Sequence, residues 1–519
     1  MIIDISEKLA IDEIVTAFER AIGVTGIPLS KVQIGNREFL KFGVGRESPL
    51  YDHALRESQQ YLNEENPFRG AIGLNSKKVD SFSSSVEASA LRALLTRSTR
   101  QVSQDSSYSG YTVPYIPFPK GEDHLLAQPA SHIVRGRRGV GKSTLIRRAT
   151  QLLSERNAIV AILDMQSYST LVGDDLIREV FYDTCTELAE SGGALVNKLN
   201  IPSKDIATEI LAVGTDILAG NLAIERAPVA FKRALTKLTK LTGSDAFVFL
   251  DDFHLVASEW QPELLHSLHA GLKGANGWIK VAGLSSLMNY YSPKTRKGLQ
   301  LPGDAQFIQL DLTLENPEAA ENHLKQILGG FLYAVGYSMT AQVIPAAAFR
   351  RLAWANAGVP RDFLQMFGRA LEHAQRNRHG AITLSDVNIA IGEFGQQKMD
   401  ELQGDARNEA GELREMLIKL EQLCLEEKHV NAFLVRSESS KERTLVQVLS
   451  DLRMVHLIHQ SITPSKAGER FEAFILDYSL FTGFRRRPNV VEMIPKERQF
   501  KVAELRALPK ISPGFISEE

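Results

Sequence analysis

Cysteine is scarce in this chain of 519 residues: Cys185 and Cys424 are the only two. Two thiols so far apart exclude a disulfide framework and a four-ligand zinc site. Both fall on apolar helical faces, where a small buried hydrophobe is expected. Long apolar runs are missing as well. No stretch reaches the ~18 consecutive apolar residues that a membrane span requires, so no membrane association is expected. The opening residues MIIDISEKLAIDEIVTAFERAI carry no basic-then-apolar leader pattern, and a cytoplasmic location is the expectation. Neither sign of charge dominates, with 60 Lys and Arg against 62 Asp and Glu and a formal net charge of -2. That balance excludes a globally basic nucleic-acid binder, so any such surface must be local. No internal repeat appears. What is there is ordinary globular composition, 44% hydrophobic and 24% charged, long enough for roughly three to five domains of ~100–200 residues.

Residues 1–96 mix helical patterns (LYDHALRESQQYLNEE, VEASALRALLTR) with the strand-like VQIGNREFLKFGV, and carry no motif with evident chemistry. The segment around 101–111 is too polar to pack and reads as a linker. Beyond residue 112 the character changes. The apolar runs SHIVRG, AIVAILD, AFVFLDD, WIKVAGL and QFIQLDL alternate with helical stretches, the pattern of a parallel sheet covered on both faces. The interval 165–245 is too long for one crossover helix and predicts an inserted helical pair near 206–218 and 228–241. After residue 314 strand signals stop and four helices follow, the last capped by Thr383 or Ser385. A charged helix over 396–410 then leads to a final mixed region.

The clearest chemical signal is Gly136-Arg-Arg-Gly-Val-Gly141-Lys142-Ser143-Thr144, which fits G-x-x-x-x-G-K-[ST] between a strand and a helix. Glycines allow backbone N–H groups to curl around phosphate oxygens, while the following helix directs its positive end at the same anion. The nucleotide-binding set is therefore Gly136, Arg138, Gly139, Val140, Gly141, Lys142, Ser143 and Thr144. Lys142 reaches the β and γ phosphates, and the Ser143 hydroxyl ligates Mg²⁺. AFVFL-Asp251-Asp252 places carboxylates at the end of a buried strand. There Asp251 is expected to hold the Mg²⁺ water shell, and Asp252 to accept a proton from, or orient, an attacking water. Asp is one methylene shorter than Glu at that second position, which leaves slow turnover open. WIKVAGL-Ser285-Ser286 ends another strand in hydroxyls suited to a γ-phosphate contact. In Gly358-Val-Pro-Arg361 an arginine opens an amphipathic helix.

In this order the motifs resemble those of the AAA+ ATPases, and within them the replication-initiator (origin-recognition) clade, over about residues 112–394. The resemblance implies an α/β fold, a P-loop NTPase core with an all-helical lid, and ATP with Mg²⁺ as ligands. It implies ATP hydrolysis to ADP and phosphate, with Lys142, Asp251 and Asp252 in the catalytic set. It makes Ser285 or Ser286 the first sensor and Arg361 the second. The family often supplies an arginine finger in trans, for which Arg296 is the candidate, beside Lys294 and Lys297; a homo-oligomer is implied with it. The C-terminal pattern of helix, AFLVR, a helix capped by Ser439 or Ser440, then strand–loop–strand, resembles the winged helix that follows the lid in such proteins. Lys441 and Arg443 on its helix, and Lys466 and Arg470 around its loop, are candidate contacts to duplex DNA. Arg485, Arg486 and Arg487 open a stretch to Lys510 with eight basic and three acidic residues. His456 and His459 read as packed or solvated strand residues.

The expected division is an N-terminal accessory region (1–96), a linker (97–111), the α/β core (112–314), the lid (315–405) and a winged-helix domain with basic tail (406–519). The expected function is an ATPase whose nucleotide state controls DNA binding or assembly. The alternative is a STAND-like signalling or defence switch that recruits an effector protein such as a nuclease.

Overall fold

The first helix, α1 (Ile5–Ile22), lines Ile14, Phe18 and Ile22 along one buried face at helical spacing. That face meets a hairpin in which β1 (Leu29–Ile34) and β2 (Arg37–Val44) pair antiparallel, and Phe18 stacks on Phe42 with ring centroids 3.9 Å apart. The helix α2 (Pro49–Tyr61), capped by Ser48, adds Tyr51 to this cluster, and β3 (Ile72–Ser76) pairs parallel to β2. The helix α3 (Val86–Thr99) closes the N-terminal region. The computed structural model describes residues 5–76, 81–99, 111–202, 205–405, 410–463, 469–482, 489–493, 500–511 and 514–516. Of the expected linker (97–111), residues 100–110 lie outside them, and 97–99 form the end of α3. The chain forms two compact units: one comprises Pro117–Asp311 with Thr444–Arg453, the other Met1–Ile116, Leu312–Arg443 and Met454–Glu519.

In the unit that begins at Pro117, a short α4 (Glu122–Leu126) leads into β4 (His132–Arg135), α5 (Lys142–Glu155) and β5 (Ile159–Asp164). The long interval expected to hold two helices holds three: α6 (Gly173–Lys198), α7 (Asp205–Leu218) and α8 (Ala227–Thr242). The 26-residue α6 is the one the pattern left unassigned, because small and polar residues interrupt its apolar face. Then come β6 (Ala246–Asp251), α9 (Gln261–Leu272), β7 (Gly277–Gly283), a small ribbon of β8 (Tyr291–Ser292) and β9 (Lys297–Gly298), and β10 (Gln306–Gln309). The five main strands form one all-parallel sheet in the order β10-β4-β7-β6-β5. Residues 246–250 of β6 are all buried, as two covered faces require. Because every strand runs the same way, the loops after β4, β6 and β7 open on one edge, where α/β sheets hold ligands. Cys185 lies buried on α6 among core residues.

In the other unit the lid is all helical: α10 (Pro317–Ala334), α11 (Ala346–Ala355), α12 (Pro360–Arg376) and α13 (Leu384–Asp405). Thr383 caps α13, its hydroxyl accepting from the Asp386 amide at 3.2 Å while Asp386 accepts from the Thr383 amide at 2.9 Å. Residues 396–405 of the expected separate helix over 396–410 instead continue α13, whose backbone stays helical through Gly392 and Gly395; residues 406–409 lie outside the described residues. The C-terminal elements are α14 (Ala410–Glu421), extended by a π-helical turn that buries Cys424, then β11 (Ala432–Arg436), α15 (Lys441–Asp451), β12 (Val455–Ile462), β13 (Phe471–Leu476), α16 (Val502–Arg506) and β14 (Lys510–Ile511). Their sheet runs β12-β13-β11-β14, with β12 and β13 antiparallel on either side of the polar loop. The Ser440 hydroxyl accepts from the Arg443 amide at 3.1 Å and caps α15. Among the described residues no helix is long and apolar enough to cross a membrane.

Candidate nucleotide site

The loop between β4 and α5 is held from both ends. Gly141 sits at φ 105°, a conformation that side-chain-bearing residues avoid, and a Cβ there would meet the Phe118 ring at 3.3 Å. Val140 is buried beneath the loop. Opposite it, Arg137 donates from its backbone N–H (3.1 Å) and its Nε (2.9 Å) to one carboxylate oxygen of Asp311, just past β10. Arg138, Gly139 and Val140 thereby pass over the first turn of α5, where Ser143 and Thr144 remain exposed. Lys142 is buried, and its ammonium donates to the carbonyls of Gly136 (2.9 Å) and Arg137 (3.1 Å). Burial pulls its pKa down, opposed by the carboxylates of Asp252, Asp311, Asp251 and Asp451. A lysine along the loop and a helix start beyond it are elements of an anion-binding site, while the amides of Arg137, Arg138 and Val140 are engaged here by Asp311, the Asp451 carbonyl and the Arg137 carbonyl.

The acidic pair stands at the end of β6. The Asp251 carboxylate accepts a hydrogen bond from the Ser143 hydroxyl and one from the Asp252 amide at 2.9 Å. Burial, then the neighbouring charge of Asp252, raises its pKa to about 6 against the pull of Ser143, the Asp252 amide and Lys142. Asp252 adopts the left-handed region at φ 51°, which Asp tolerates better than most residues and which turns the chain away from the strand direction. One hydroxyl and one carboxylate in contact are the protein donors that a Mg²⁺ bound mainly through substrate phosphates and water needs. Lys142, Ser143, Asp251 and Asp252, expected to act together, are brought together.

Strand β7 lies between β4 and β6, so the hydroxyls after it face the middle of this edge. Ser286 donates from its amide and its hydroxyl, each at 2.7 Å, to the carboxylate of Asp451. The Asp451 backbone carbonyl in turn accepts from the Arg138 amide at 3.2 Å. Burial raises the Asp451 pKa, against the hydrogen bonds from Ser286 and the charge of Lys142. Ser285 is half-buried in the same turn. The sequence held a faint signal for Asp311, an acid just past the final core strand. It held none for Asp451, which is 313 positions and several elements away from Arg138 in the loop it joins.

The other expected residues fall on other elements. Arg296 is exposed at the tip of the β8–β9 ribbon, at φ 57°, with its amide bonded to the Ser292 carbonyl at 2.8 Å. Arg361 occupies the first turn of α12, half-buried. That helix starts where it does because Gly358, at φ 81°, presses against the Leu312 carbonyl, which a Cβ would meet at 2.4 Å. Beside Arg361, the buried Asp362 pairs with Lys398 of α13 at 3.3 Å, and Lys398 also reaches Asp477 at 2.5 Å. Asp477 accepts from His456 at 2.7 Å, so His456 is part of a buried charge network rather than merely packed. Burial works against the Asp477 carboxylate, yet Lys398 and His456 hold its pKa far below the usual range. Lys441 pairs with Glu412 at 3.0 Å, and Arg443 grips both carboxylate oxygens of Glu472 at 3.0 and 2.8 Å. Arg470 is exposed. Lys466, Arg485, Arg486 and Arg487 lie outside the described residues.

No family model matches the sequence, and no curated protein does. Solved structures do. The chain is similar to a Drosophila ORC structure bound to DNA, at 12% identity and a TM-score of 0.35, covering 78% of this chain and 92% of that one. It is similar to Cdc6p from Pyrobaculum aerophilum, at 13% identity and TM-score 0.33, covering 72% and 93%. The ORC1 protein of Aeropyrum pernix in complex with DNA follows at 14% and 0.34, covering 74% and 93%. At such scores the fold class rests on the chain's own five-stranded order and phosphate loop rather than on these alignments.

Proposed function

We propose that this chain is an AAA+ ATPase that binds ATP with Mg²⁺ and uses the nucleotide to control DNA binding or assembly. The observation that supports this most is the meeting of Lys142 and Ser143, at the start of α5, with Asp251 at the end of β6. In this reading the loop amides and Lys142 bind the phosphates, while Ser143 and Asp251 hold the Mg²⁺. The metal, when bound, neutralises charge developing between the β and γ phosphates. Asp252 orients the attacking water or takes its proton, Ser286 or Ser285 senses the terminal phosphate, and Arg361 acts as second sensor from the lid. Arg296, exposed on its ribbon, is the candidate finger toward a neighbouring copy. The five-part division at residues 96, 111, 314 and 405 belongs to the same proposal, as does a cytoplasmic setting.

Titration with a fluorescent ATP analogue tests the site. Lys142→Ala is expected to weaken binding by about a hundredfold, since a charge-assisted contact of ~3 kcal/mol is lost. Asp252→Asn is expected to keep nucleotide and stop phosphate release. Unchanged affinity in Lys142→Ala would remove the phosphate-site reading.

DNA as the partner is supported by the basic excess over 485–510 and by the α14–β11–α15–β12–β13 order, which suits a winged helix. One observation favours the second reading, a nucleotide-gated switch that recruits an effector protein. Lys441 and Arg443 are already paired with carboxylates, which leaves the helix less suited to DNA phosphates.

A further inference from the structure

An aspartate at the last position of a helix faces the negative end of the helix dipole, the unfavourable place for an anion. Asp451 ends α15 in this way, and it is buried as well, at 7% exposure. Its compensation comes from the phosphate site. Ser286 supplies two hydrogen bonds of 2.7 Å to the carboxylate, and the Arg138 amide supplies one of 3.2 Å to the backbone carbonyl. The charges facing it are those of Lys142, Arg135 and Asp311. Two things follow from this arrangement. A phosphate-loop N–H, of the kind that binds an anionic oxygen, is engaged by the protein itself. A carboxylate also stands within electrostatic reach of Lys142, the group that would hold a polyphosphate.

We propose that the C-terminal end of α15 is a built-in competitor for nucleotide. Asp451 and its carbonyl hold Ser286 and the phosphate loop in a low-affinity arrangement, and they are displaced when nucleoside triphosphate binds. This inference rests on the nucleotide reading of the site and adds its regulation: the segment that follows β11 becomes free to move only in the nucleotide-bound chain.

The test uses the full chain, Asp451→Asn and Asp451→Ser, titrated with Mg²⁺ and a non-hydrolysable ATP analogue, with melting temperatures as the folding control. Asn keeps the size and the hydrogen-bond acceptor but removes the charge; Ser shortens the group as well. Both variants are expected to bind about tenfold more tightly than the unaltered chain, the change that ~1.4 kcal/mol of relieved repulsion gives. Hydrogen exchange across residues 444–453 in the unaltered chain is expected to rise when the analogue is added. Equal or weaker binding by both folded variants, or unchanged exchange, overturns the competitor while leaving the nucleotide site standing. Absence of binding by all three chains overturns the site reading and the inference together.

Discussion

At the scale of single residues, the site carries a stability cost that can be measured. The folded-state pKa of Asp251 is about 6, above the ordinary carboxyl value of 3.8. Between those two values the folded chain holds a proton that the unfolded chain has released. Stability therefore falls as pH rises through that window and levels off above it. Asp251→Asn removes the ionisation while keeping an acceptor for Ser143. It is expected to stabilise the fold by about 1–3 kcal/mol at pH 7.5, with the gain shrinking as pH falls from 6 toward 4. Denaturant unfolding of both chains across that range checks it, and a variant less stable at every pH would count against the assignment. The same change is expected to abolish Mg²⁺-dependent hydrolysis. A substitution that raises stability and removes activity marks a residue kept for chemistry.

At the scale of elements, Lys398 joins three of them. It extends from α13 to Asp362 on α12 and to Asp477 beyond β13, all essentially inaccessible to water. A buried cation shared by two carboxylates is costly to break, because removal leaves two desolvated anions with less compensation. Lys398→Met is expected to destabilise the chain by about 3–5 kcal/mol, read by urea unfolding. Neutralising both partners in the same chain, with Asp362→Asn and Asp477→Asn, is expected to restore most of that loss. Failure of the triple variant to recover would show that packing, rather than charge, holds α12 and α13 to the C-terminal strands. Since Arg361 precedes Asp362 by one position, this network fixes the start of the helix that carries the proposed second sensor.

At the scale of the whole molecule, near-neutral charge confines any DNA surface to local patches, and the pairing of Lys441 and Arg443 narrows the choice further. The stretch 485–510 is left as the main electrostatic candidate. Binding to duplex DNA is expected to weaken steeply with salt. Reversing Arg485, Arg486 and Arg487 to Glu is expected to lower the slope of log affinity against log salt by about 2–3. A chain that shows no salt-dependent binding near ~50 mM salt would shift the weight to effector docking.

The periodic signals were legible without coordinates. Five apolar runs became the five parallel strands, and the glycine–lysine–serine loop fell between strand and helix, because short-range spacing alone dictates where backbone can turn and which faces are buried. The caps were legible to within a choice of two for the same local reason, and the structure selects Thr383 over Ser385 and Ser440 over Ser439. The helix α6 was not, since its apolar face is interrupted and only the surrounding core stabilises it. Nor was the run of α13 through Gln396, which appeared as two helices because Gly392 and Gly395 interrupt the helical pattern just before it. What the amino-acid sequence determined by itself is a phosphate loop, an acidic strand end and a helical lid, each a local pattern of a few residues. What only the tertiary structure decided is which distant polar and charged groups pair: Asp311 with Arg137, Asp451 with Ser286, Lys398 with Asp362 and Asp477. Such partners are chosen by burial and low dielectric after the chain has folded, and no spacing along the chain encodes them.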